Sequence, residues 1–129
     1  RQLYKSKLIE ERANKDGTTT FMLSEKGRVR ALTYRFEEMR IQRGNWDGKW
    51  RIVAFDVPEK KKYAREALRR KLRELGFHEF QKSVFVFPYE CKDEIDFIVE
   101  FFDMRPYARY GVLETIDNDF HLRKIFNLA

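Results

Sequence analysis

The chain has 129 residues, 43% of them hydrophobic and 16% aromatic, which is material for one modest core with an appendage and too little for two full-sized domains. Its 27 Lys/Arg against 21 Asp/Glu leave a net charge of +6, and a single cysteine, Cys91, excludes an internal disulfide framework and a cysteine-based zinc cluster. No run approaches the ~20 apolar residues of a membrane span and no secretory signal pattern opens the chain, so the expectation is a soluble, cytoplasmic protein with no membrane partner. The start at Arg1, without a methionine, reads as a piece of a longer protein.

The positive charge is unevenly placed. Residues 1–48 hold 11 Lys/Arg against 7 Asp/Glu, residues 49–77 hold 10 against 4, and residues 78–129 hold 6 against 10. A basic front and an acidic rear are the footprint of a polyanion-binding face, with a merely solvated basic surface as the plainer alternative.

In chain order, RQLYKSKLIEER carries apolar residues at Leu3, Tyr4, Leu8 and Ile9, and Asp16-Gly17 supplies a hairpin turn before the short strand FML. Ser24 is a suitable N-cap for a helix with Val29, Leu32, Phe36 and Met39 along one stripe. This order, with LIEE…DGTTTFMLSEKGRVRAL, resembles the back half of a winged-helix DNA-binding domain, whose hairpin is the wing. Arg12 and Lys15 near the wing tip are then candidate phosphate contacts that position a duplex without reading its sequence; ordinary hairpin charges are the equal alternative. RGNWDGKW, residues 43–50, breaks the helical pattern, and Trp46 and Trp50 are candidates to pack the two halves together. The expected division is a partial winged helix over 1–45 and a second domain over 46–129.

From Trp50 onward the pattern is strand, helix, strand, strand, helix, strand. WRIVAFDV is apolar on both faces, as in a central strand covered on both sides, with a partner subunit one candidate for the second cover. Pro58 ends it, and KKKYAREALRRKLRELG forms a helix with Ala64, Leu68, Leu72 and Leu75 on one face and Gly76 as its stop. FHEFQ and SVFVFP are two extended runs joined over Gln81–Ser83 by either a sharp turn or a bulge. KDEIDFIVEFF is a second helix, YARYGVLETI a last strand, and NDFHLRKIFNL a C-terminal helix or arm. The fold class is therefore α+β, a ferredoxin-like β-α-β-β-α-β domain with both helices on one face of an antiparallel sheet. The other face is apolar enough to dimerise.

Two features carry chemistry. Asp56 falls at the C-terminal end of the first strand of this domain, where side chains reach functional clefts. One carboxylate is a poor Mg²⁺ site, but a two-fold dimer would bring a second Asp56, and the pair could share Mg²⁺ or Mn²⁺ and activate water against a phosphodiester. An aspartate before Val-Pro is equally a normal strand end. On the following helix, Lys62, Arg65, Arg69 and Arg73 fall on one ridge, flanked by Lys60, Lys61, Arg70 and Lys71. Like charges at this spacing destabilise an isolated helix, so a polyanion that neutralises them is the favoured reading. His78 and His121 lack companions at zinc spacing, and Cys91 lacks a general base. No phosphate loop, GxSxG or HExxH occurs. The aromatic run SVFVFPY reads as core before it reads as a base-stacking platform.

The run WRIVAFDVPEKKKYAREALRRKLRELGFHEFQKSVFVFP resembles two related families. Asp56, the basic stretch Arg65 to Arg73 and the motif Gln81-Lys82-Ser83-Val84-Phe85 are similar to the Cas-two proteins of CRISPR adaptation, small ferredoxin-like homodimers. Trp50, Phe55, Pro58, Glu59, Arg65, Leu68, Arg69, Leu72, Gly76, Phe77 and Pro88 fit the PaaX-type transcriptional repressors, in which a winged helix precedes a Cas-two-like domain. The second resemblance implies a homodimeric regulator that binds nucleic acid, DNA before RNA. The first implies a DNA scaffold or a metal-dependent endonuclease with Asp56 as catalytic metal ligand. A non-catalytic dimerisation module is the third class left open.

Overall fold

The computed structural model describes residues 9–13, 15, 19–23 and 25–128, and within 9–13 and 19–23 the backbone alone. The chain divides into two compact units, residues 1–39 and 40–129. The expected turn at Asp16-Gly17, the Ser24 cap and the residues before Ile9 lie outside the described residues.

In the first unit, β1 (Ile9–Ala13) and β2 (Thr19–Leu23) pair antiparallel, with Ile9 opposite Leu23 and Ala13 opposite Thr19. Helix α1 (Glu25–Glu37) follows. Its expected apolar stripe splits: Met39 is buried and Phe36 half-buried, whereas Val29 and Leu32 are exposed. The spacing puts these residues in line, but the stretch is polar on average, and burial is confined to the C-terminal end of the stripe.

The second unit is a four-stranded antiparallel sheet with helices. Its elements are β3 (Trp50–Phe55), α2 (Lys62–Leu75) after a 3-10 turn at Glu59–Lys61, β4 (His78–Gln81), β5 (Val84–Phe87), α3 (Lys92–Phe101), β6 (Ala108–Leu113) and α4 (Asp119–Ile125). The strand order β4-β5-β3-β6 leaves β3 central, as its two-sided apolar sequence demands, and the fold is ferredoxin-like α+β. Alternation along β3 sends Arg51, Val53 and Phe55 to one face, and their cross-strand partners Phe87 and Phe85 share it. Helix α2 covers that face with Leu68, Leu72 and Leu75, and α3 adds Ile95, Ile98 and Val99 to the core. Gly76 ends α2 at φ +106, a left-handed cap that a side chain would strain.

The opposite face of β3 carries Trp50 and Ile52. Its Trp50 end is closed by the chain itself: Trp50, Val86 and Leu122 of α4 are fully buried, with Trp46, Ile116 and Phe126 packed around them. The Trp50 indole N–H donates to Asp119 at 2.8 Å, and Trp46 lies 4.9 Å from the Trp50 ring under the Arg123 guanidinium. Both tryptophans thus serve one core inside the second unit.

The β4–β5 junction contains both devices that the sequence left as alternatives. Lys82 and Ser83 form the turn, with Ser83 at φ +64, and the pairing slips between Glu79 and Gln81. A non-glycine residue in the left-handed region costs on the order of 1 kcal/mol, offset in part here because the Ser83 carbonyl accepts from the Phe55 amide at 3.0 Å. Among the described residues no helix is long and apolar enough to cross a membrane.

Candidate nucleic-acid interface

Where β3 ends, the chain must leave the sheet. The Asp56 N–H donates to the Tyr107 carbonyl at 2.8 Å, which ties this end to the 3-10 turn Arg105–Tyr107 ahead of β6. The Asp56 side chain is exposed and makes no hydrogen bond or ion pair with any described residue. It opens into a cleft of about 530 Å³ lined also by Ala54, Lys82, Ser83, Val84, Tyr107 and Arg109. Arg109 lies opposite Ala54 in the β3–β6 register and donates to the Ala108 carbonyl at 2.9 Å. Lys61 places its ammonium 5.9 Å from the Tyr107 ring centroid. One carboxylate therefore stands among cations.

That composition does not make a metal site within one chain. No group of three or more His, Cys, Asp or Glu able to hold a metal occurs among the described residues. The Ser83 hydroxyl, a neutral oxygen of the cleft lining, lies 3.4 Å from an Arg69 nitrogen. Mg²⁺ or Mn²⁺ would need several oxygens, and the adjacent Lys82 and Arg109 oppose a divalent charge.

The basic helix is less bare than its sequence. Glu59, in the turn before α2, lies 3.5 Å from Arg65 and 4.0 Å from Lys62, and Glu66 lies 3.3 Å from Arg65 and 3.5 Å from Arg69. Arg69 and Arg73 both reach across to Glu79 on β4, one to each carboxylate oxygen. Burial is the largest single influence on Glu79 and would raise its pKa, but the Arg73 hydrogen bond, the Arg69 charge and the Ser83 amide together hold it below the usual value. Lys71 turns inward, 4% exposed, and pairs with Glu74 at 2.6 Å, so it does not flank a solvent ridge. The arginines also pack on aromatic rings: Arg69 lies 5.6 Å from the Phe55 centroid and Arg73 5.8 Å from Phe85.

What remains as open positive charge is a different set. Lys60, Arg70 and Lys82 are exposed and pair with no described residue. Lys82 had no role in the sequence beyond a place inside the QKSVF run, and Glu79 and Arg109 had none. Their positions follow from strand register and from a two-residue turn, which spacing does not reveal. In the same motif Gln81 is exposed, Ser83 shapes the turn, and Phe85 is fully buried, stacked on Phe55 at 5.8 Å. Phe85, Val86 and Phe87 are all core, so that run is no stacking platform. In the first unit, Lys15 is exposed and Arg12 sits on β1 opposite Thr20, its side chain outside the description.

Cys91 and the two histidines are the other candidates. Cys91 is fully buried, and burial pushes its thiol up to about 12, which removes it as a nucleophile. His78 is half-buried and His121 exposed, far apart in the sequence.

Residues 43–121 match a family model described as the PaaX protein central Cas2-like domain. The chain belongs to the PaaX family. No curated protein matches it. The match in this PaaX-family chain spans the Asp56 cleft, the whole basic helix and the Glu79–Ser83 corner, so these belong to the Cas2-like domain. The resemblance read from Trp50, Pro58-Glu59, the Arg/Leu repeat of α2 and Gly76-Phe77 is borne out.

Proposed function

We propose that this chain is a nucleic-acid-binding regulator of the PaaX type, acting on duplex DNA as a homodimer whose Cas2-like unit supplies assembly and phosphate contacts. The family match carries the reading, and the charge pattern supports it. Lys60, Arg70 and Lys82 spend no charge on described neighbours, and three such contacts correspond to a salt slope of about −2.7 per chain on duplex DNA. The apolar sheet face that α4 leaves open, with Ile52, Ala54 and Val84 half-buried, is the surface offered for the dimer. Arg12 and Lys15 would add contacts from the first unit.

Fluorescence anisotropy on a labelled duplex between 50 and 200 mM salt tests the proposal. Affinity should fall steeply with salt, and Lys60→Ala, Arg70→Ala and Lys82→Ala should each flatten the slope by about 0.9. Affinity independent of salt, or absent, would overturn it and leave a dimerisation module.

One observation favours a second reading, metal-dependent phosphodiester hydrolysis: the Asp56 carboxylate is exposed and uncommitted to any described residue. Two copies across a dimer axis would hold Mg²⁺ or Mn²⁺, which would supply Lewis acidity and a bound water of lowered pKa. Cleavage that needs Mn²⁺ and vanishes in Asp56→Ala would support it, and no cleavage with either metal would remove it.

A further inference from the structure

Arg69, Arg73, the Ser83 hydroxyl and the Glu79 carboxylate form an arrangement that α2 and the β4–β5 turn hold in place. Two guanidinium groups converge on one carboxylate, each taking a different oxygen. The Ser83 hydroxyl lies 3.4 Å from a second nitrogen of Arg69 and limits its rotation. Arg69 is also pinned over Phe55 and Phe85. Such a set of planar, charged donors fixed around one point is the chemistry of an oxyanion receptor, and it suits a phosphate as well as a carboxylate.

We propose that this is a masked phosphate-binding site, in which Glu79 occupies the place of a nucleic-acid backbone phosphate and is displaced when the backbone arrives. The proposal rests on the nucleic-acid-binding reading and deepens it. Exposure supports the order of events: the Arg73 side chain is 55% exposed and Glu79 26%, whereas Arg69 is 13%. A phosphate therefore meets Arg73 first and gains Arg69 when Glu79 swings out. A phosphate diester carries the same single negative charge as Glu79, so the exchange is near balanced, and the contact is weak until the open cations Lys60, Arg70 and Lys82 have brought the backbone close. Glu79 is thereby a brake on affinity that β4 builds into the surface.

The test is the anisotropy titration with the same labelled duplex, on the whole chain, comparing wild type with Glu79→Gln and with Glu79→Gln/Arg73→Gln. Removing the competing charge should tighten binding about fivefold at 100 mM salt and steepen the slope by about 1, with the gain lost in the double variant. Unchanged or weaker binding in a folded Glu79→Gln would overturn the proposal while leaving salt-dependent binding by the wild type intact. No binding by either protein would overturn both readings. Side-chain Nε–H resonances of arginine in the wild type give an independent measure should Glu79→Gln not fold. Those of Arg69 and Arg73 should move on saturation with duplex, and their staying fixed while the Arg70 and Lys82 amides move would count against displacement.

Discussion

Two aspartates flank β3, and the structure gives them opposite fates. Asp47 precedes the strand and binds Arg51 through both oxygens, at 2.8 and 2.7 Å, while it accepts the Lys49 amide at 3.0 Å. Arg51 is buried at 5% exposure, with a further bond to the Pro88 carbonyl at 2.9 Å, so the pair fastens the turn before β3 to the end of β5. Asp56 follows the strand and holds its place by the backbone alone, leaving its carboxylate in the open cleft. A carboxylate beside cations is therefore no site in itself. What separates the two is whether geometry already satisfies the charge, and by that measure Asp47 is committed to Arg51 while the Asp56 carboxylate is committed to no described residue.

The largest effect is expected at the buried end. Asp47→Ala strands the Arg51 guanidinium with carbonyl partners and Glu90 at 3.6 Å. Full loss of a buried partner costs about 3–5 kcal/mol, and the half-exposed position of Asp47 brings the expected loss to about 2 kcal/mol, read from the urea midpoint. Acid should act on the same pair. The Arg51 hydrogen bond holds the Asp47 carboxyl down to about 2 from its ordinary 3.8. A depressed folded pKa means that the unfolded chain takes up the proton first, so this stabilisation is complete above pH 4 and lost as pH falls towards 2. Thermal melts at pH 5, 3.5 and 2.5 should show that loss in the wild type, and it should be smaller in Asp47→Ala. A single acid slope shared by both proteins would mean that the pair is not the group that titrates. The smallest effect belongs to Asp56→Ala, for which stability should stay within about 0.5 kcal/mol of the wild type. A large loss there would show that Asp56 is a strand-end support after all and would erase the contrast.

The basic helix shows the same division between charges that are spent and charges that are open. The ridge of Lys62, Arg65, Arg69 and Arg73 was legible because helical spacing is a property of the chain alone, and α2 forms where that spacing put it. What the ridge faces was not legible. Glu79 comes from the neighbouring strand, just before a slip in register and near a turn with a left-handed serine, and it neutralises the two arginines that looked most available. Lys71 and Arg70 are adjacent in sequence, yet one is buried and the other exposed, because 100° of rotation separates solvent from the edge of the core. Trp46 and Trp50 were visible as anchors, but their partner, α4, lies some seventy residues on, and only folding brings Leu122 and Phe126 against them.

By itself the sequence determined the order of elements, the central place of β3, the glycine stop of α2 and the family, because each depends on local periodicity, backbone preference or a contiguous motif. Tertiary structure alone decided which charges are spent. An ion pair is a matter of distances across strands and helices, and these placed Asp47 and Glu79 on arginines while leaving Asp56, Lys60, Arg70 and Lys82 facing water.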